Sequence, residues 1–184
     1  MHMHNSLAIA SFGIALALFT GPSVVAQQPG DAPSPSMSAG PSSADAKFLK
    51  EAADGGMAEV ELGKLASEKA SSGDVKQFGQ RMAEDHGKAN EELKQLAMQK
   101  HIDLPSEPSA KHKATKARLE KLSGEQFDKA YMADMLKDHK KDVAAFQRQS
   151  NSAKDPDVKS FAAKTLPTLQ DHLKEAQKLA SGSK

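Results

Sequence analysis

Three Asp-His dipeptides, Asp85-His86, Asp138-His139 and Asp171-His172, carry the strongest chemical potential in this 184-residue chain. Imidazole titrates near neutrality and ligates metals through either ring nitrogen. Each of the three histidines interrupts an apolar stripe at helical spacing. His86 falls between Met82 and Ala89 in a stripe of Val75, Phe78, Met82, Ala89, Leu93 and Leu96. His172 lies on a seam in which Val158, Thr165, His172 and Leu179 are seven apart, beside Ala162, Leu169 and Ala176. A carboxylate makes the fourth interruption: Glu59 is seven after Ala52 and seven before Ala66. One carboxylate and three imidazoles drawn from facing helices make a ligand set for Zn, Fe, Mn or Cu. Met82 and Met135 stand one turn before His86 and His139. Thioethers there would tilt the choice towards copper, although methionine on a stripe is also an ordinary core filler. Asp85, Asp138 and Asp171 are turned by about 100° from their histidines, onto a flank where they can orient a neighbour's imidazole. The competing reading is a structural polar layer, each histidine hydrogen-bonded to a carboxylate.

The elements that must position these residues are helices. Asp45 is expected to cap a first helix ending near Ser72, with Gly73 as its C-cap and Asp74 capping a second helix that runs to about His101, before Pro105. Ala110 to Leu122 reads as a short basic helix with Leu119 and Leu122 inward. Ser123 and Gln126 have the form of a capping box opening a third long helix to about Ser150. Asp155-Pro156 opens a fourth, which contains Pro167 and ends near Ser181-Gly182. Across the turn at Gly73, Glu59 and His86 are about equally deep at ~1.5 Å per residue. His139 matches them, and His172 is out of step by about one turn. The expected fold is all-α: a four-helix up-down bundle with an extra short helix between helices 2 and 3.

Composition narrows the function. Lys+Arg 25 against Asp+Glu 24 leaves a net charge of +1, and seven Phe, one Tyr and no Trp offer few stacking platforms, so nucleic acid is not an expected partner. No cysteine is present, which removes disulfides, thiolate ligands and a Cys nucleophile. The sequence shows no Gly-rich phosphate loop, nucleophile elbow or His-Glu-x-x-His pair. Residues 1–26 read as a signal peptide: an apolar run from Ser6 to Thr20, then Val24 and Ala26 before Gln27. The run lacks an N-terminal Lys or Arg, and an uncleaved membrane anchor is the alternative; both place the domain in the periplasm or elsewhere outside the cytoplasm. Residues 27–44, with Pro29, Pro33, Pro35 and Pro41, form a Pro/Ser-rich disordered linker, and residues 45–181 are the bundle. The basic run Lys111, His112, Lys113, Lys116, Arg118 and Lys121 is a solvated face or a surface for an anionic envelope partner. His101 and His112 read as surface residues. Gly55-Gly56, one turn before Glu59, is unusual in a helix, where each glycine costs ~1 kcal/mol relative to Ala.

Residues 45–181 resemble a bacterial family of extracytoplasmic ferritin-like proteins known as domain of unknown function 4142. The resemblance is carried by Phe48, Ala52-Ala53 and Glu59; by Val75-Lys76-Gln77-Phe78, Met82 and Asp85-His86; by Leu104-Pro105, Leu122-Ser123-Gly124, Phe127-Asp128, Tyr131 and Met132; and by His139, Leu166-Pro167, Leu169 and His172-Leu173. It implies a ferritin-like bundle in the cell envelope and no assigned activity. True ferritins place Glu-x-x-His on two helices, whereas here Ala83, Leu136 and Leu169 stand three before the histidines. That argues against a di-iron oxidase and for a mononuclear His-rich site. The function expected is a non-enzymatic, stress-related envelope bundle with a mid-bundle His/Glu metal layer at Glu59, His86, His139 and His172. The alternatives are a metal-dependent redox enzyme acting on peroxide, superoxide or a metal ion, and an envelope interaction module.

Overall fold

The computed structural model describes residues 41–182. They form α1 (Ser43–Lys69), α2 (Gly73–Gln99), α3 (Ala110–Glu120), α4 (Gly124–Ser152) and α5 (Pro156–Gly182), with no strand among the described residues. The expected signal segment, 1–26, and nearly all of the expected linker lie outside them.

The helix ends differ from expectation in instructive ways. Ser42, not Asp45, is the N-cap of α1. Its side chain accepts from the Asp45 amide while the Asp45 carboxylate accepts from the Ser42 amide, both at 3.2 Å, a complete capping box. The same buried carboxylate takes the amides of Lys154 and Asp155, tying the start of α1 to the α4–α5 turn. Asp128 does the equivalent at the other end: it accepts from the amides of Ser71 and Ser72 and from the Ser71 hydroxyl. With the turn satisfied in this way, α1 stops at Lys69 and Gly73 opens α2 instead of closing α1. α2 ends in a Schellman motif: Ile102 N–H bonds Ala97 C=O, His101 N–H bonds Met98 C=O, and His101 takes φ 55° where glycine is usual. The capping box expected at Ser123 does not form, because Gly124 enters α4 at φ 57° and the Ser123 side chain makes no cap bond. Asp155 does cap α5, through the amides of Asp157 and Val158.

α1 packs mainly on α2 and α4 mainly on α5, and the two hairpins face each other through α1–α4 and α2–α5. α3 lies on α1 and α4 and carries the chain back along the bundle, so every neighbouring pair of long helices is antiparallel. Two glycines bring α1 and α2 together: a Cβ on Gly63 would lie 2.6 Å from the Gly79 carbonyl oxygen, and one on Gly79 would lie 2.7 Å from that of Gly63.

The core is split in two. One apolar cluster holds Leu62, Ala66, Val75, Phe78, Met82, Leu119, Phe127, Tyr131, Met135 and Ala176. The other holds Phe48, Leu49, Ala53, Leu93, Leu96, Phe146, Val158, Phe161, Leu166 and Leu169. On every long helix one polar residue separates them: Glu59, His86, His139 or His172. Apolar burial on both sides, at roughly 25 cal/mol per Å2, supplies the stability that a buried polar layer costs.

Candidate metal centre

All four interrupting residues are buried: Glu59 and His86 are 5% and 6% exposed, His139 and His172 fully enclosed. Glu59 lies ten residues before the end of α1 and His86 thirteen after the start of α2; His139 and His172 stand thirteen and sixteen from their turn. Both hairpins therefore share a three-residue offset. Side chains tilt towards the N-terminus of their helix, so the pair partner on the returning helix must start deeper for the tips to meet. The offset that put His172 out of step in the sequence is what brings it into the layer.

The three rings converge. Their centroids are 5.3–5.6 Å apart, and one ring nitrogen from each lies within 4.8 Å of the other two, a group able to hold a metal ion. On each ring one nitrogen is bonded. His86 Nδ1 is 3.1 Å from Glu59 Oε2. His139 Nδ1 is 3.0 Å from the Met135 carbonyl and 3.5 Å from Glu59 Oε1. His172 Nε2 is 2.9 Å from Asp85 Oδ2. A carbonyl or a carboxylate only accepts, so those nitrogens carry the protons. The other three, His86 Nε2, His139 Nε2 and His172 Nδ1, are left as bare lone pairs, buried and without a partner. Asp85 is itself held by Arg81, which also bonds Glu175 of α5, so the orienting carboxylate is fixed from outside.

Charge is disfavoured here. Burial, then repulsion by His139 and His172, holds His86 well below the usual imidazole range. Burial and His172 lower His139 to about 4, and burial lowers His172 against the pull of Asp85. The rings are therefore neutral at neutral pH, with their lone pairs available. Behind them Glu59 is raised, first by burial and then by the negative charge of Asp142 and Asp138. Asp142, hydrogen-bonded to Glu59, is raised to about 6 by its own burial. Glu59 Oε1 itself has no hydrogen-bond partner, His139 Nδ1 lying 3.5 Å away.

The layer thus contains the four residues that the sequence singled out, but in two ranks: a histidine triad, with Glu59 against the far nitrogens of His86 and His139. Of the flanking aspartates, Asp85 reaches an imidazole on a neighbouring helix. Asp138 faces the α1–α3–α4 side, and Asp171 is exposed. Met82 and Met135 belong to the apolar cluster next to the layer, and Met135 contributes its carbonyl. Sequence reading missed Asp142, three residues after His139 and on the flank of α4 that meets Glu59. It also missed the buried Tyr131 hydroxyl, which has no hydrogen-bond partner. His112 is less exposed than expected, because α3 turns it onto α1, where it pairs with Asp54 at 3.2 Å. The basic face of α3 is largely neutralised: Lys113 pairs with Glu107, Lys116 with Glu61, and Arg118 with Asp134.

Fold and site define a class: an all-α antiparallel four-helix bundle with a short crossover helix and a buried histidine triad at mid-depth. The chain belongs to the family described as "Domain of unknown function (DUF4142)", whose model matches residues 30–179. Among solved structures, a DUF305 fragment from Deinococcus radiodurans aligns with a TM-score of 0.68 at 13% identity, over 78% of this chain and 99% of that one. CopM in the Cu(II)-bound form aligns with a TM-score of 0.63 at 14% identity, over 75% and 96%. At such identities the likeness is one of fold. No curated protein matches the sequence. Among the described residues no helix is long and apolar enough to cross a membrane.

Proposed function

We propose that this protein is a non-catalytic metal-binding bundle of the cell envelope, exported through its N-terminal segment and serving metal stress. It holds one transition-metal ion on His86 Nε2, His139 Nε2 and His172 Nδ1, with Glu59, the Met135 carbonyl and Asp85 fixing the rings from behind. The observation that carries this reading is that three rings converge, one nitrogen of each within 4.8 Å of the others, and that each ring has one buried nitrogen without a partner. A structural polar layer would satisfy them; as they stand they repel, and a bound cation relieves that. A proton is the poorer cation, since burial already lowers all three imidazoles. Three nitrogens at 2.0–2.1 Å from one tetrahedral ion are about 3.3 Å apart, so small ring rotations close the triad from within 4.8 Å. A bonded far nitrogen on every ligating imidazole is the usual outer arrangement of a metal site.

Copper is the first candidate. Imidazole donors suit it, it heads the affinity order of the divalent first-row ions, and CopM, of the same fold, has a Cu(II)-bound form. Titrating metal-free protein with Cu(II), Zn(II), Mn(II) and Fe(II) tests the reading. One equivalent of Cu(II) should bind and raise the melting temperature, with Zn(II) weaker, and His139→Ala should lose both effects. No binding by any of these ions, or undiminished binding by His139→Ala, would overturn it. The redox-enzyme reading has one observation in its favour: a chamber of about 30 Å3 beside His86 and Glu59, room for a water-sized ligand. Turnover of superoxide or peroxide by the copper-loaded protein would establish that reading instead.

A further inference from the structure

A buried triad needs a way in for its ion, and two clefts reach the layer from opposite faces. The first lies between α1, α3 and α4, has a volume of about 180 Å3, and ends on Glu59. The second, of about 130 Å3, lies between α2 and α5 and ends on His86 and His172.

Their charge differs. In the α2–α5 cleft the carboxylates are already engaged: Lys164 bonds both oxygens of Glu92 across the mouth, and Asp85 is held by His172 and Arg81. In the α1–α3–α4 cleft Glu51, Asp54, Asp138 and Asp142 line the walls ahead of Glu59, Asp54 being held by His112 and the Ser109 amide and Glu51 lying 3.9 Å from Lys47. Asp138 and Asp142 form no salt bridge among the described residues, and the bases on that side, Lys111, Lys141 and His112, are fewer. At the floor, Glu59 is 95% buried by its 5% exposure, and its Oε1 takes no nitrogen or hydroxyl donor.

Both clefts adjoin the chamber that touches His86: the second shares Ala89, Thr165 and Leu169 with it, and the first shares Gly55, Glu59 and Asp142. A Cβ built on Gly55 meets nothing within 4 Å, so the missing side chain leaves open space at that shared wall. Its neighbour Gly56 has a different task, since a Cβ there would fall 2.1 Å from the Asn90 side-chain oxygen, which it makes room for.

We propose that divalent metal ions reach the histidine triad from the α1–α3–α4 face, through the open space at Gly55, beside Glu59 and Asp142. The inference rests on the metal-binding reading. It accounts for a helix-interior glycine that no packing contact requires. An acid-lined cleft with low-dielectric walls raises the local concentration of cations and speeds their capture.

Stopped-flow association and dissociation of Cu(II) test it on the full-length protein. Gly55→Leu should fill that space and slow both rates by at least about tenfold while leaving the equilibrium constant unchanged, because no ligand is touched. Asp138→Asn should slow association about threefold and weaken its dependence on salt. On the opposite face, Thr168→Leu and Glu92→Gln should leave the rates alone. Circular dichroism melts check that Gly55→Leu remains folded. Unchanged rates for Gly55→Leu, or slowing by Thr168→Leu in its place, would overturn the route. A wild-type protein that binds no ion at equilibrium would instead reject the metal-binding reading beneath it.

Discussion

A histidine in a helical core ordinarily has both ring nitrogens answered, one as donor and one as acceptor. Here each of three rings is answered on one side only, and the three rings meet. Asp85 deserves the closest test, because it acts on the triad from a distance: its carboxylate fixes the proton on His172 Nε2 at 2.9 Å and so exposes Nδ1. Asp85→Asn can present an amide N–H to the same nitrogen and favour the wrong tautomer. Copper affinity should fall by about 10- to 100-fold, the usual effect of losing an outer partner, with the fold intact by circular dichroism. Loss of affinity comparable to that of His172→Ala would show instead that Asp85 is itself a ligand, and no loss would show that Arg81 and Glu175 hold the ring unaided.

At the scale of the element, much of this arrangement is legible in the sequence because helical periodicity is strict. A polar residue at a stripe position has to face the core, so Glu59, His86 and His139 could be placed in one layer from spacing alone, with His172 on a stripe but about one turn out of step. Asp85 could be assigned to a flank in the same way. Asp142 could not, since it belongs to no apolar stripe and gains its meaning only when α1 lays Glu59 against it. The helix ends were the least legible, because tertiary carboxylates decide them: Asp45 and Asp128 each satisfy the turn of the opposite hairpin, and no local rule reports that. Glycines divide similarly. Gly63 and Gly79 are required by the α1–α2 approach, whereas Gly87 faces open space in the middle of α2. Gly63→Ala would push a methyl against backbone atoms 2.6 and 2.8 Å away and should cost about 2–3 kcal/mol, as overpacking does. Gly87→Ala should gain up to about 1 kcal/mol from helix propensity alone. Denaturant melts of the two variants read both signs. An equal effect of the two would mean that the helices are free to separate.

For the molecule as a whole, the buried layer makes the stability of the metal-free protein depend on pH, with opposing contributions whose signs can be worked out. The three imidazoles are depressed in the folded state, His139 to about 4. Unfolded histidine takes its proton near 6.5. Their contribution is therefore present above about pH 6.5 and is lost as the pH falls towards 4. Glu59 and Asp142 are raised, Asp142 to about 6. They hold protons that the unfolded chain has released, so their contribution is present at low pH and is lost as the pH rises through about 6. Between these limits three histidines whose contribution is lost on acidification stand against two carboxyls whose contribution is gained, so stability declines as the pH falls. Denaturant melts of metal-free protein at pH 6 and pH 4.5 should show that decline. Glu59→Gln should steepen it, because the opposing carboxyl is gone, and one equivalent of Cu(II) should increase the loss, because an ion held by neutral imidazoles is displaced by protons. A flat profile would mean that the carboxyl pair balances the triad fully, and a gain in stability at the lower pH would mean that at least one of the three rings is charged in the folded protein.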